Sequence, residues 1–354
     1  MTVRDYQAKP EDGTEILRIL ESSPAKGSIE LLYTRRPDAY KSYKMEAGES
    51  RVFVARTGDK TVGTCAELIR SVYIDGKPVK AAYICGLKKD ADYTGHIGFG
   101  PRFIQGLVRE DIDYYYASVI IDNEQANAMF GKARRILEMS PVQTYTTYIL
   151  APKFSLKTDA KDCVFRCARA EDEAAVLEFL NREGRKKDLF PVIDAFSQFH
   201  GLSVTDFYLL EHQGEIVAAA ALWDQTEYKQ YVVKKYRGIM KFARLLNPVL
   251  SMLGYMKLPP ENQILDYPML SFFLSRNDDP EYYKAFLNSL NREIRGRNDV
   301  YVIGVPQNHI GHQIFSNVPS IHFDTVIYSI LFKLGKGKTI AVDPNNMFPE
   351  CGLL

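Results

Sequence analysis

The sequence has almost no net charge, and it lacks a long apolar run. Its 45 basic and 44 acidic residues leave a formal charge of +1 over 354 residues. A broad basic surface for nucleic acid or for a membrane is therefore not expected. The most apolar stretch, 242–258, is interrupted by Arg244, Asn247 and Pro248. It therefore falls short of the ~20 apolar residues that a membrane-spanning helix requires.

Cysteines are few, and their spacing excludes a disulfide-rich or zinc-finger class. There are five of them, an odd number without dense clustering, as expected for reduced thiols. Cys163 and Cys167 lie four residues apart, but no second pair follows to complete a metal site. The start, Met-Thr-Val-Arg, lacks the apolar core of a signal peptide. We therefore expect a cytoplasmic protein, a monomer or homodimer, with no metal, nucleic acid or membrane partner.

Three patterns of the first half return, in the same order, in the second half. The segments 164–172 and 207–221 are similar to 3–12 and 52–66. A third pattern is a triplet spaced three and four residues apart, which occurs as Asn123, Ala126 and Phe130 and again as Asn308, Gly311 and Phe315. Three repeats in one order indicate an internal duplication. With a length that exceeds one ordinary core, this predicts domains at 1–150 and 164–354, joined by a linker at 151–163.

A glycine-rich turn joins a predicted strand, 81–87, to a predicted helix that begins at Pro101. Gly95, Gly98 and Gly100 lie within this turn, so the backbone can approach a ligand closely. The free N–H groups and the positive dipole end of the helix point back at the turn. Such an arrangement is typical of a phosphate site, but a tight strand-to-helix connection has the same pattern. The strand and helix that follow favour the phosphate site, and we infer the pyrophosphate of a coenzyme. The glycine spacing fits neither the Rossmann fingerprint nor the P-loop.

A second strand, 114–121, is followed by a helix that opens at Asn123. Asn123, Ala126 and Phe130 match the spacing of Asn-x-x-Ala-x-x-x-Tyr, and the glycines of the turn match the end of Gln/Arg-x-x-Gly-x-Gly. The chain thus resembles the GNAT superfamily, whose members transfer an acyl group from acyl-CoA, usually to an amine. It departs from the pattern in two places, because the Gln/Arg position falls on Gly95 or Thr94 and Phe130 replaces the tyrosine.

The resemblance implies an α+β fold of two GNAT-like domains, each a mixed, mainly antiparallel sheet flanked by helices. In the first half we expect helical segments at 29–33 and 38–45 and a hairpin turn at Asp75-Gly76. In the second half, the region between a strand at 264–273 and a helix at 281–294 has no glycine and carries Asp278 and Asp279. We therefore expect the second half to be degenerate and not to bind coenzyme.

The resemblance also assigns candidate site residues. Those expected to bind the coenzyme lie along the turn and its flanking elements: Leu87, Lys88, Lys89, Thr94, Gly95, His96, Ile97, Gly98, Phe99, Gly100, Pro101, Asn123 and Phe130. The amine must lose a proton, and Glu67 or Tyr83 is the candidate base. His96 and Tyr116 are candidate proton donors to the departing thiolate. Backbone N–H groups around Leu87 are expected to polarise the thioester carbonyl.

The implied function is an acetyl-CoA-dependent N-acetyltransferase with a direct ternary-complex mechanism. Its acceptor would be a small-molecule or peptide amine. The alternative is a non-catalytic acyl-CoA-binding or regulatory protein with the same fold, which the missing tyrosine and the missing Gln/Arg favour. A third interpretation, an aminoacyl-transfer protein with tandem halves, requires a basic surface for tRNA, which the net charge of +1 does not support.

Overall fold

The structure, a computed structural model, describes residues 4–24, 27–95, 106–121, 137–252, 257–333 and 340–354. Strands form one large mixed sheet, and helices pack on its faces. This is an α+β architecture. Parallel pairing occurs at two places, β5 with β6 and β12 with β13, and all the other strand pairs are antiparallel.

The first half alternates strands and helices as expected. Its elements are β1 (Arg4–Gln7), α1 (Gly13–Glu21), β2 (Ile29–Thr34), α2 (Ala39–Glu46), β3 (Glu49–Thr57), β4 (Lys60–Ile74), β5 (Lys77–Lys89), β6 (Tyr114–Ile120) and β7 (Leu137–Leu150). Asp75 and Gly76 form the predicted hairpin turn between β4 and β5, both with positive φ. One helical prediction was wrong. Residues 29–33 form strand β2, because alternating side chains face the core and the strand pairs with β11.

The second half also combines strands and helices. Its elements are β8 (Cys163–Cys167), α3 (Glu173–Gly184), β9 (Phe207–His212), β10 (Glu215–Trp223), β11 (Gln230–Tyr236), α4 (Ile239–Met252), β12 (Met269–Ser275), α5 (Pro280–Ile294), β13 (Tyr301–Pro306), α6 (Ile310–Phe315) and β14 (Ser320–Phe332). The strand predicted at 264–273 thus starts and ends later in the structure. The helix predicted at 281–294 is present as α5.

The two halves share one twelve-stranded sheet. Its order is β1-β3-β4-β5-β6-β14-β7-β13-β12-β10-β9-β8. The last strands of the two halves are therefore exchanged. β14, from the second half, pairs with β6 of the first half, and β7, from the first half, pairs with β13 of the second half. β7 and β14 also pair with each other along their length, from Ser320 opposite Leu150 to Phe332 opposite Leu137. A boundary at residue 150 therefore separates two parts of the chain, but the strands of both parts belong to one sheet.

The first helix of each half starts in the same way. Asp12 accepts a hydrogen bond from the Lys9 N–H at 2.9 Å, and Asp172 accepts one from the Arg169 N–H at 2.7 Å. Each carboxylate also binds an arginine of the sheet: Arg56 in the first half and Arg166 in the second half. These caps satisfy N–H groups that would otherwise lack a partner where the helix begins.

Two clusters of apolar side chains cover the two faces of the first half of the sheet. On one face α1 and α2 pack over Leu68, Tyr83 and Tyr116. On the other face Leu107 packs with residues such as Cys65 and Tyr115. Because side chains alternate along a strand, neighbours in sequence serve opposite faces. This alternation decides which candidate residues can meet.

Candidate functional site

Strands β5 and β6 separate after a short parallel contact. They pair only where Ala81–Tyr83 lies beside Tyr114–Tyr116, although β5 continues to Lys89 and β6 to Ile120. β6 remains paired on its other side with β14 as far as Ile120. The two strands therefore open a gap in the middle of the sheet, next to the last six residues of β5.

A β-bulge lies in β5 beside this gap. Thr64 pairs with Lys88 and Ala66 pairs with Cys85, so the single residue between them on β4 faces both Gly86 and Leu87. Gly86 has a φ of +59°, which glycine adopts without strain. A bulge leaves one residue out of the ladder and redirects its peptide groups. The bulge thus lies at the position where pairing between β5 and β6 ends among the described residues.

The hydroxyl of Tyr43, from α2, lies directly against this bulge. A Cβ built on Gly86 would be only 2.0 Å from Tyr43 Oη, so no other residue type fits there. The Tyr43 side chain is fully buried, and the Arg35 guanidinium lies 3.9 Å from its ring centre. Within the part of the chain that the structure describes, its Oη has no hydrogen-bond partner. A buried hydroxyl without a partner marks a place where a ligand or water completes the structure.

A cluster of buried charges, which consists of Arg35, Glu46 and Lys229, supports this tyrosine. Glu46 accepts from the Arg35 guanidinium and lies 3.3 Å from Lys229 Nζ. Arg35 also donates to Ser42 Oγ at 2.9 Å. Burial alone would raise the pKa of Glu46, but Arg35 and Lys229 outweigh it and lower the pKa to about 2. Glu46 is therefore a fixed anion that orients two cations, and it is a poor base.

The C-terminal segment reaches the same cluster. Lys229 Nζ donates to a main-chain oxygen of Leu354 at 2.5 Å, and Arg70 of β4 donates to the Leu353 oxygen at 2.9 Å. Arg70 Nη2 is buried and has no partner among the described residues. The site is thus assembled from α2, β4, the segment before β11 and the last residues of the sequence.

Two of the four candidate catalytic residues lie on this face. The rings of Tyr83 and Tyr116 stack with centres 5.1 Å apart. The Tyr83 hydroxyl shares a hydrogen bond of 2.5 Å with Ser118 Oγ. Burial raises the pKa of Tyr83 well above its ordinary value and also raises the pKa of Tyr116. Both hydroxyls therefore stay protonated at neutral pH, and they are suited to donate rather than to accept a proton.

Glu67 lies on the opposite face of the sheet. It is fully buried and forms an ion pair with Arg51, which also donates to the Leu107 oxygen at 2.6 Å. Burial raises the pKa of Glu67, and Arg51 offsets part of the rise. The structure therefore does not bring Glu67 together with Tyr83 and Tyr116. Its ion-pair partner, Arg51, also holds the segment at Leu107 against the sheet through a hydrogen bond.

The candidate coenzyme-binding residues are only partly described. Lys88 Nζ donates to the Leu20 and Ser23 oxygens at 2.5 Å each, so it caps the C-terminal end of α1. Lys89 is exposed, and Leu87 forms the bulge with Gly86. Thr94 is exposed on the turn that follows. The other candidates, His96, Ile97, Gly98, Phe99, Gly100, Pro101, Asn123 and Phe130, lie outside the described residues.

The space around Gly95 is limited by Tyr93, two residues earlier in the sequence. A Cβ at this position would lie 2.4 Å from Tyr93 Oη, so the tyrosine ring folds over the glycine. The preceding Asp90 is fully buried and is held by Arg18 at 2.9 Å. These contacts fix the start of the glycine turn against α1.

The second half has a corresponding bulge, but there a side chain of the protein itself binds the main-chain N–H group. Between Ala219 and Ala221 on β10, the register with β12 shifts at Phe272, a fully buried residue with a φ of +55°. The Phe272 N–H donates to Glu350 Oε2 at 2.7 Å. Glu350 also accepts from the Gly352 N–H at 3.1 Å. The C-terminal segment therefore supplies a carboxylate to this bulge, whereas the Tyr43 hydroxyl lies beside Gly86.

The N-terminal end of the helix that follows β12 is capped by an aspartate side chain. The Asp279 carboxylate accepts from the Glu281 N–H at 2.8 Å at the start of α5. Its neighbour Asp278 binds Lys187 at 2.6 Å and His309 at 3.2 Å. Acidic side chains thus take the place where a phosphate would lie. Among the described residues, no group of three or more His, Cys, Asp or Glu side chains is placed to hold a metal.

Comparison with solved structures places this arrangement in a known fold. No family model and no curated protein matches the sequence. The Saccharomyces cerevisiae N-myristoyltransferase with bound myristoyl-CoA is similar in structure, with a TM-score of 0.56 and 11% identity, over 98% of this chain and 88% of that one. A GCN5-related N-acetyltransferase from Anabaena variabilis also has a TM-score of 0.56, with 10% identity over 94% and 73% of the two chains.

A third neighbour is a GCN5-related N-acetyltransferase from Kribbella flavida, with a TM-score of 0.52 and 10% identity over 94% of this chain and 71% of that one. At such identities the likeness establishes the fold. The chain consists of two GNAT-like domains, as the sequence predicted.

Sequence reasoning did not identify Arg35, Tyr43, Glu46 or Lys229. For this region the sequence predicted only the helical segments at 29–33 and 38–45. A signal was present, since Tyr43 and Glu46 lie three residues apart and thus on one side of a helix, each beside apolar positions. Lys229 carried no such signal, because it lies 183 residues from the glutamate that it contacts.

Proposed function

We propose that this chain is an acyltransferase that moves an acyl group from acyl-CoA to an amine. The observation that carries the proposal is the open bulge at Gly86, beside the gap between β5 and β6 and under the Tyr43 hydroxyl. A thioester carbonyl placed there would accept from main-chain N–H groups of the bulge. Such donors stabilise the negative charge that develops when an amine attacks.

The chemistry requires three events at this position. The amine nitrogen attacks the carbonyl carbon, the carbon–sulfur bond breaks, and the amine loses a proton while the thiolate gains one. The proton that the amine loses passes through water to the thiolate, and we assign the hydrogen bond that stabilises the departing sulfur to the buried hydroxyl of Tyr43. Burial raises its pKa, so the proton is retained at neutral pH. Tyr83 and Tyr116 then line the path of the acyl chain or the acceptor.

Glu46, Arg35 and Lys229 position these groups. Arg35 lies over the Tyr43 ring, and Lys229 holds the main chain at Leu354. A pair of fixed cations beside a bound thioester also favours the charge that develops on oxygen or sulfur. Glu67 stays a candidate base only if the acceptor approaches from the face that carries Leu107.

The solved neighbours support a CoA thioester as donor, since the yeast N-myristoyltransferase holds myristoyl-CoA. Within this class we propose acetyl-CoA as donor and a small-molecule or peptide amine as acceptor. We also propose that the two halves arose by duplication, as their order of elements and their helix caps indicate. Only the first half would then bind coenzyme.

Calorimetry with acetyl-CoA and myristoyl-CoA, followed by thiol-release assays on a panel of amines and peptides, tests the proposal. We expect one acyl-CoA per chain and turnover on at least one acceptor. Binding without turnover would instead support the non-catalytic acyl-CoA-binding protein, which the phenylalanine at position 130 favours. No binding of either thioester would refute both functions.

A further inference from the structure

Helix α4 leaves an apolar side uncovered. Ile239, Phe242, Leu245 and Leu246 expose 83%, 68%, 77% and 57% of their surfaces. Their spacing of three, six and seven residues from Ile239 places them on one side of the helix. These four are among the nine large hydrophobic residues that are exposed in the described part of the chain. Such a continuous stripe marks a surface that meets an apolar partner.

The opposite side of α4 is what anchors it to the protein. Met240 and Ala243 pack against the small core of Val233, Tyr236 and Leu258. Farther along, the buried Asn247 accepts from the Leu258 N–H at 2.8 Å. The exposed stripe is therefore not a misplaced core face, because the helix already has a packed side of its own.

The charge around this stripe has one sign. Residues 230–260 contain six basic residues and no acidic one: Lys234, Lys235, Arg237, Lys241, Arg244 and Lys257. Four of them, Lys234, Lys235, Lys241 and Arg244, form no ion pair with any described residue, whereas Arg237 and Lys257 bind Glu30 and Asp299. In a chain of net charge +1, this is a strong local excess.

We propose that α4 binds the surface of an anionic lipid membrane. An interfacial helix inserts apolar side chains between lipids while cations at its flank reach the headgroups. Phe242 and Leu245 would insert, and Lys241 and Arg244, which follow them around the helix, would contact phosphate or carboxylate groups. This requires no spanning segment, and no described helix is long and apolar enough to cross a membrane.

A second copy of the chain fits this surface less well. Antiparallel two-fold pairing of α4 would bring Lys241 and Arg244 of one copy close to the same cations of the other copy. Like charges at close range oppose such pairing, whereas an anionic bilayer complements both the cations and the apolar stripe.

The position of α4 sets its relation to the candidate site. β11 begins directly after Lys229 and ends at Tyr236, three residues before α4. Seven strand residues span about 23 Å. The membrane contact would therefore lie one strand length from the buried charges, and its loss would leave acyl transfer in solution unchanged.

Co-sedimentation of the full chain with phosphatidylcholine vesicles, with and without phosphatidylserine, tests the proposal. We expect binding to the anionic vesicles only, weakened by salt. The double variant Lys241→Gln/Arg244→Gln should weaken binding about fivefold for each cation removed. Phe242→Glu/Leu245→Glu should abolish it. Both pairs are surface changes, and circular dichroism confirms that the variants fold.

Matched controls separate the helix from general effects of charge and polarity. Lys157→Gln/Lys161→Gln removes two exposed cations from the segment along α5, and Val164→Glu places a charge on a valine that is 59% exposed. Both should bind vesicles as the unaltered chain does. Equal binding by the α4 variants would overturn the proposal. So would concentration-dependent self-association in ultracentrifugation that Phe242→Glu/Leu245→Glu abolishes, because the stripe would then join two copies.

Discussion

The two bulges of the sheet, at Gly86 and at Phe272, have the same backbone shape and opposite surroundings. Each lies on the strand before a parallel contact and has a φ near +57°, +59° in one case and +55° in the other. Beside Gly86 stands a tyrosine hydroxyl that has no partner among the described residues, whereas the Phe272 N–H is already bound by Glu350. A bulge alone therefore does not make a site. What matters is whether the chain fills it.

The largest effect is expected from Gly86→Ala. The new Cβ would clash with Tyr43 Oη at 2.0 Å and would also be strained at a φ of +59°. Because Tyr43 is buried beneath Arg35, it cannot move aside. We expect a loss of about 3 kcal/mol in the free energy of unfolding and turnover at least about 100-fold lower. Urea unfolding and thiol release measure the two effects.

Gly58→Ala is the matched control. Gly58 has the same φ of +59°, but nothing lies within 4 Å of its added Cβ. It should therefore cost only about 1 kcal/mol and leave turnover intact. Equal effects of the two substitutions would show that backbone strain, and not the contact with Tyr43, explains Gly86.

Tyr43→Phe removes the unpartnered hydroxyl and keeps the ring. We expect kcat to fall about 100-fold while the affinity for acyl-CoA stays within about twofold. The control Tyr301→Phe alters a buried tyrosine of the second half, which is bonded to Asn291 at 3.2 Å, and should leave kcat unchanged. A Tyr43→Phe enzyme with normal kcat would remove Tyr43 from the mechanism.

Because Glu350 is buried at the Phe272 bulge, we expect the stability of the protein to depend on pH. Burial raises the pKa of Glu350 from 4.5 to about 7, although several backbone N–H groups oppose the rise. The folded state therefore holds a proton that the unfolded state releases between these values. Its stabilising contribution is complete below about pH 4.5 and is lost as the pH rises to about 7.

Urea unfolding of the unaltered chain and of Glu350→Gln, between about pH 5 and about pH 8, checks this prediction. The free energy of unfolding of the unaltered chain should fall relative to the variant, by no more than about 3 kcal/mol over the interval. Parallel curves for the two proteins would mean that Glu350 is not protonated in the fold.

Phe272→Gly tests whether the second bulge can be opened. Glycine relieves the positive φ, but the change deletes a ring that packs 5.0 Å from Phe199 and 6.1 Å from Trp223. We expect a net loss of about 2 kcal/mol in stability. Acyl-CoA should still bind at one site per chain, because Glu350 remains in place. Two sites per chain in calorimetry would contradict the account of the filled bulge.

The sequence predicted the order of elements well, because alternation, turn residues and helix caps act locally. The hairpin at Asp75-Gly76 and helix α5 are examples. β2 was missed because Ile29, Leu32 and Tyr33 have the i, i+3, i+4 spacing of an amphipathic helix, whereas the positions that β2 buries include the polar Glu30 and Thr34. The exchange of β7 and β14 could not be predicted, since it depends on pairing between strands nearly 180 residues apart.

The candidate site was located only in part. The expectation of N–H donors around Leu87 falls on the observed bulge, and Tyr83 and Tyr116 do meet. Glu67 has the right strand but faces the other side of the sheet, a consequence of the two-residue period. The net charge of +1 also conceals a local excess of basic residues around α4, because acidic residues elsewhere in the chain balance them.

The most direct test of the central claim is a crystal structure with a non-hydrolysable thioether analogue of acetyl-CoA. We expect one analogue per chain, with its carbonyl oxygen about 3 Å from an N–H of the Gly86–Leu87 bulge and its sulfur beside the Tyr43 hydroxyl. Glu350 should remain bound to Phe272. An analogue bound at Phe272, or anywhere that leaves the Gly86 bulge empty, would contradict the central claim.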